Sequence, residues 1–116
     1  MTVEKCYEVM KGDYKDALSR LITDERIKKF LVKLLSDNSF TQLCDAMEKK
    51  NMEEAFRAAH TLKGVSKNLS LTALAYSSSN LTEALRDRSE YGEDLEELLK
   101  KVKKDYALTI ACIQML

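Results

Sequence analysis

The chain predicts an all-α protein, and three observations carry that expectation. It contains no proline and only three glycines, Gly12, Gly64 and Gly92, in 116 residues. Leu, Lys, Glu and Ala are the commonest residues, all of which lose little on entering a helix. No segment sustains the period-two alternation with β-branched residues that a strand needs. The connections between the helical stretches are short, which favours antiparallel neighbours. The expected architecture is therefore an up-and-down antiparallel four-helix bundle with one or two short extra helices at the N-terminus.

The elements can be read in order. Met10-Lys11-Gly12-Asp13 separates a short opening helix from a second stretch, Tyr14 to Ile22. Thr23-Asp24-Glu25 has the form of an N-cap with acids in the first turn, where they complement the helix dipole. The helix it opens runs through Leu35, with Ile27, Phe30, Leu31, Leu34 and Leu35 at helical spacing. Ser36-Asp37-Asn38 interrupts it before Phe40, Leu43, Cys44 and Met47 continue an apolar face. Asn51 with Glu54 three residues on resembles a capping box and starts the next helix. Ser70 is the expected cap of a helix over 71–88, Ser89 to Gly92 a turn, and the last helix runs from Glu93 to Cys112 or beyond. Residues 1–116 read as one domain, with short helices over 1–22 and the bundle over 23–116.

Bulk properties narrow the function. With 19 basic and 19 acidic residues the formal net charge is zero, which argues against a general binder of nucleic acid or anionic membrane. Cys6, Cys44 and Cys112 are odd in number and widely spaced, so they read as structural thiols of a reducing compartment. Zinc held by these thiols with the single histidine is the sharper alternative, but no CxxC or HxxxH spacing supports it. The first residues lack the apolar core of a signal peptide, and no stretch approaches the ~20 apolar residues of a membrane helix. A cytoplasmic monomer is expected.

The chemistry concentrates at Ala59-His60-Thr61-Leu62-Lys63-Gly64-Val65-Ser66-Lys67-Asn68-Leu69. At about 100° per residue, Ala55, Ala58, Ala59, Leu62, Val65, Ser66 and Leu69 gather on one side and should face the core, with Phe56 toward one edge. His60 falls about 140° from the middle of that stripe and should face solvent. Its companions are Glu53, Arg57, Gly64 and Lys67, with Lys63 on the flank. A helix-interior glycine costs about 1 kcal/mol relative to alanine. At i+4 from His60, Gly64 removes the side chain that would crowd the ring. Lys63 at i+3 and Lys67 at i+7 can lean toward a group attached to the imidazole, and Arg57 adds positive charge at i−3. A phosphoryl group carries close to two negative charges, which lysine ammonium groups stabilise. The outer nitrogen, Nε2, projects furthest from the backbone and is the expected nucleophile. Ser66 reads as packing, and the lysines at 100, 101, 103 and 104 as solvated surface.

These residues resemble the signature of histidine-containing phosphotransfer (Hpt) domains, roughly Ala-His-x-Leu-Lys-Gly-x-Ser/Ala-x-x-Leu-Gly. Ala59, His60, Leu62, Lys63, Gly64, Ser66 and Leu69 match in order and spacing, while Ser70 stands where the closing glycine is expected. The resemblance implies a covalent relay: His60 takes a phosphoryl group from the phospho-aspartate of a response-regulator receiver domain and passes it to another receiver. It implies that Lys63 offsets phosphoryl charge, that Gly64 gives access, and that Arg57 and Lys67 contact the partner. A hybrid histidine kinase is a further partner of this class. The chain is expected to bind no metal or cofactor, with Mg2+ on the receiver, and to have no ATP-dependent kinase activity. No glycine-rich phosphate loop or acidic metal cluster lies around the histidine. The main rival is an adaptor bundle that docks a signalling partner without phosphotransfer; an independent enzyme comes third.

Overall fold

The computed structural model describes residues 1–116 as seven helices and no strand. They are α1 (Val3–Met10), α2 (Tyr14–Leu21), α3 (Asp24–Leu34), α4 (Ser39–Glu48), α5 (Met52–Asn68), α6 (Thr72–Leu85) and α7 (Glu93–Gln114). Four start at a side chain that accepts an otherwise unpaired backbone N–H of the first turn: Thr2 from Lys5, Asp13 from Asp16, Thr23 from Arg26 and Asn51 from Glu54. The Thr23 and Asn51 caps are the ones their sequence context indicates.

Helix ends are less legible. Lys11, Ile22, Lys50, Ser70 and Asp87, each just beyond a helix, all adopt positive φ, whereas no glycine does. Helix α6 therefore stops at Leu85 rather than continuing to residue 88: Arg86 turns extended and Asp87 enters the left-handed region at φ 54°. Arg88 then bridges the loop to Asp94 through a two-bonded fork of 2.7 and 2.8 Å.

Helix α5 packs between α4 and α6, and α6 packs against α7. The core at this junction joins Leu43 and Met47 of α4, Ala55, Ala58, Ala59 and Leu62 of α5, Leu74 and Leu81 of α6, and Leu95 and Val102 of α7. Small residues on the buried face of α5, with Ser77 and Ser78 on α6, let these helix backbones approach closely. The buried hydroxyls do not compromise the core. Ser66, Ser78 and Thr82 donate to carbonyls one turn back at 2.6 to 2.7 Å, and no buried side-chain polar atom lacks a partner. Val65, expected in the core, is only half-buried. On the far side the Phe40 and Tyr106 rings stack at 3.9 Å and 7°, fastening α4 to α7.

The N-terminal helices hold the turn that follows α5. Tyr7, fully buried, donates its hydroxyl to the Leu69 carbonyl at 2.7 Å. The Asp13 N–H donates to the Ser70 carbonyl at 2.9 Å, and the Ala73 N–H to the Lys11 carbonyl at 3.2 Å. Ser70 corrects the sequence expectation: it does not cap α6. It sits at φ 56° and donates its hydroxyl to Asp16 Oδ2 at 2.6 Å. The left-handed turn that would suit a glycine is thus held by a serine tied to α2.

Candidate functional site

The outward face of α5 carries the candidate site. The inward residues of this helix are sequestered, with Ala55, Ala59, Leu62 and Ser66 wholly buried. Helical periodicity then directs the residues between them outward, and His60 is exposed. One turn further on, a Cβ built on Gly64 would meet no atom within 4 Å. No contact within the chain thus requires a glycine there, and its lack of a side chain keeps the space beside the imidazole open. Lys63 is half-buried and Lys67 exposed, and neither ammonium has a carboxylate within 4 Å. His60, Lys63, Gly64 and Lys67 therefore share one face of a single rigid helix.

Arg57 differs from the lysines. Its guanidinium is engaged on its own helix by Glu53 at 2.7 Å and Glu54 at 2.8 Å. It lines a polar groove between α4 and α5 with Gln42, Asp45 and Thr61. Its charge is matched there by two carboxylates, so it adds little net positive potential at His60.

Three further residues surround His60, of which Arg86 and Glu83 lie outside α5 and escape a reading of that helix alone. The Phe56 ring, one turn before His60, lies 5.9 Å from the imidazole centroid at 37°. The Arg86 guanidinium, from the end of α6, sits over Phe56 at 5.1 Å from its centroid. Arg86 in turn forms a fork to Glu83, with Nη2 to Oε1 at 3.0 Å and Nε to Oε2 at 3.2 Å. Arg86 holds the Glu83 carboxyl below its ordinary value, and the charges of Lys63 and His60 act in the same direction. Glu83 therefore belongs to the electrostatic surroundings of the histidine. The Glu83/Arg86 spacing is visible as an i,i+3 pair, but its facing depends on how α5 and α6 register. Two turns before Glu83 on the same side of α6, Tyr76 is 68% exposed, the most exposed aromatic ring of the chain.

Elsewhere the ionisable groups form no comparable centre. No three His, Cys, Asp or Glu side chains are placed to hold a metal ion together. Cys6 and Cys112 are buried and Cys44 half-buried, and burial pushes the Cys6 thiol up to about 11. No helix is long and apolar enough to cross a membrane.

An exposed imidazole with an adjacent bare helix segment and two free ammonium groups can act as a nucleophile toward an anionic electrophile brought by a second molecule. No curated protein and no solved structure matches the chain. A family model does, over residues 32–112, and its description is "Hpt domain".

Proposed function

The chain belongs to the Hpt domain family, and on that premise we propose that His60 is the phosphoryl carrier of a two-component phosphorelay. Hpt domains relay phosphoryl groups in such systems and are phosphohistidine carriers rather than kinases. In the finer reading, His60 accepts its group from the aspartyl phosphate of a response-regulator receiver and delivers it to another receiver aspartate. A hybrid histidine kinase can carry the donor receiver. In this reading residues 23–116 make an up-and-down antiparallel four-helix bundle and the chain acts as a cytoplasmic monomer. Its role is to present the ring to a cleft that another protein supplies.

In the forward step the lone pair of a neutral ring nitrogen attacks phosphorus. The nitrogen–phosphorus bond forms as the aspartyl oxygen–phosphorus bond breaks, and the carboxylate leaves with the electron pair. The phosphorylated ring sheds its remaining extra proton to solvent. Delivery reverses these bonds. Lys63 offsets the charge of the bound phosphoryl, Gly64 lets the receiver's loop approach, and Lys67 and Arg57 meet the partner's surface. The magnesium ion and the acidic pocket belong to the receiver.

The observation that carries this reading is the exposed His60 beside a glycine that no internal contact requires. The test is incubation with receiver domains carrying labelled phosphate. Acid-labile, base-stable label is expected on the wild-type chain and not on His60→Gln. A wild-type chain left unlabelled across several receivers would favour the adaptor instead, and labelling by ATP with the purified chain alone would make it a kinase.

A further inference from the structure

Resting on the assignment of His60 above, we propose that Glu83 tunes how firmly His60 holds its phosphoryl group, and that Arg86 sets how strongly Glu83 acts. An unbroken run of contacts links the carboxylate to the imidazole. Glu83 is forked to Arg86 at 3.0 and 3.2 Å, Arg86 covers Phe56 at 5.1 Å, and Phe56 lies 5.9 Å from the His60 ring. The run crosses from α6 to α5, so the close packing of those helices fixes it.

Fold stability gives little reason for the arrangement. Exposed i,i+3 ion pairs contribute little, and the Glu83 and Arg86 side chains are 58% and 47% exposed. Their position beside a site that acquires two negative charges is a different matter. A carboxylate near a phosphoryl dianion raises its energy and favours its departure, whereas a guanidinium lowers it. The charges around this patch are Lys63 and Lys67 on α5, Glu83 on α6, and Arg86, Asp87 and Arg88 just beyond its end; Arg88 is occupied by Asp94 and the Glu53 carboxylate by Arg57. The charge of His60 also acts on the Glu83 carboxyl, in the same direction as Arg86 and Lys63. Arg86, which covers the Phe56 ring and is forked to Glu83, mutes that carboxylate without cancelling it.

The quantity to measure is the lifetime of phosphohistidine. In its hydrolysis water adds to phosphorus and the nitrogen–phosphorus bond breaks. The ring nitrogen keeps the electron pair and takes a proton, and inorganic phosphate leaves. The full chain is charged with phosphoramidate, a small nitrogen–phosphorus donor that needs no docking surface, and the decay of label on His60 is followed at low ionic strength.

Glu83→Gln should lengthen the lifetime about two- to fivefold, and Arg86→Gln should shorten it by a similar factor. The double variant should fall between the wild type and Glu83→Gln. Arg86→Lys should restore most of the wild-type lifetime, and all the differences should shrink in 0.5 M salt, as a merely structural effect would not. Equal lifetimes throughout, or the same direction of change in both single variants, would overturn the role of Glu83 while leaving His60 as carrier. Absence of label from every chain would overturn the carrier reading and this proposal with it.

Discussion

A side chain at Gly64 would project into open space, with no atom within 4 Å of its Cβ, whereas a Cβ at Gly12 would lie 2.8 Å from the Tyr7 ring and 3.0 Å from the Ser70 carbonyl oxygen. Both glycines bear on α5, one on its outward face and one against the turn at its C-terminal end. They answer different demands. Gly12 lets the N-terminal helices close on the α5–α6 turn, so its smallness serves the chain's own packing. Gly64 serves no internal contact, and a helix-interior glycine carries a cost of about 1 kcal/mol relative to alanine. In the function proposed above, its benefit arises when a receiver approaches, and that proposal makes this face the one that meets the partner.

The sharpest way to break that contrast is to fill both positions. Gly64→Leu should lower the rate of transfer from a phosphorylated receiver by about 100-fold, because displacing the reacting atoms by about 1 Å suffices for a loss of that order. Its thermal and denaturant midpoints should hold or rise, since a better helix former replaces glycine in open space. Gly12→Ala should do the reverse. Forcing a methyl group against Tyr7 and the Ser70 carbonyl should cost about 1–3 kcal/mol of stability, while the folded fraction transfers at the wild-type rate. If Gly64→Leu transferred normally, or Gly12→Ala impaired transfer without loss of stability, the division between partner face and packing face would fail.

The same contrast explains what the sequence discloses. Helix α5, its Asn51 cap and the outward direction of His60 are local properties, carried by spacing and by one side chain bonding to a backbone group three residues on. They are legible for that reason. The role of Ser70 is not local, because its hydroxyl reaches Asp16, 54 residues away, across a contact that only the packed N-terminal helices create. In isolation a serine before a helix looks like a cap. Glu83 and Arg86 escape similarly: a wheel drawn on α5 describes the face of that helix, not which turn of α6 lies beside it. The end of α6 is hidden for another reason, since no glycine or proline marks it and Asp87 makes the left-handed turn instead.

The Ser70–Asp16 contact sharpens the packing side through pH. The Ser70 hydroxyl, with Arg20 behind it, holds the Asp16 carboxyl below its ordinary value near 3.8. A carboxyl depressed in the folded state stabilises the fold above its ordinary value, and that stabilisation fades as pH falls through the depressed one. Ser70→Ala should therefore lower the unfolding midpoint modestly near neutral pH, and the gap to wild type should close in acid below the ordinary carboxylate range. Phosphoryl transfer should be unchanged. A gap that persisted unchanged into strong acid would remove the ionised carboxylate from the contact.

The smallest effect belongs to Lys63, and it tests the partner face by charge rather than shape. The side chain is half-buried, its ammonium has no carboxylate within 4 Å, and its charge reaches Glu83 beside His60. A single ammonium in a solvated setting supplies only a modest attraction to a dianion, screened within about 10 Å at 0.1 M salt. Lys63→Ala should thus shorten the phosphohistidine lifetime or slow acceptance by roughly threefold at low salt, less than the loss on filling Gly64. Because the stem of a lysine also covers apolar surface, Lys63→Met separates charge from packing. If Met behaves like Ala and both approach wild type as salt rises, the lysine acts through its charge. If Met behaves like wild type at every ionic strength, the stem is what matters, and the partner face relies on open space rather than on a cation beside the ring.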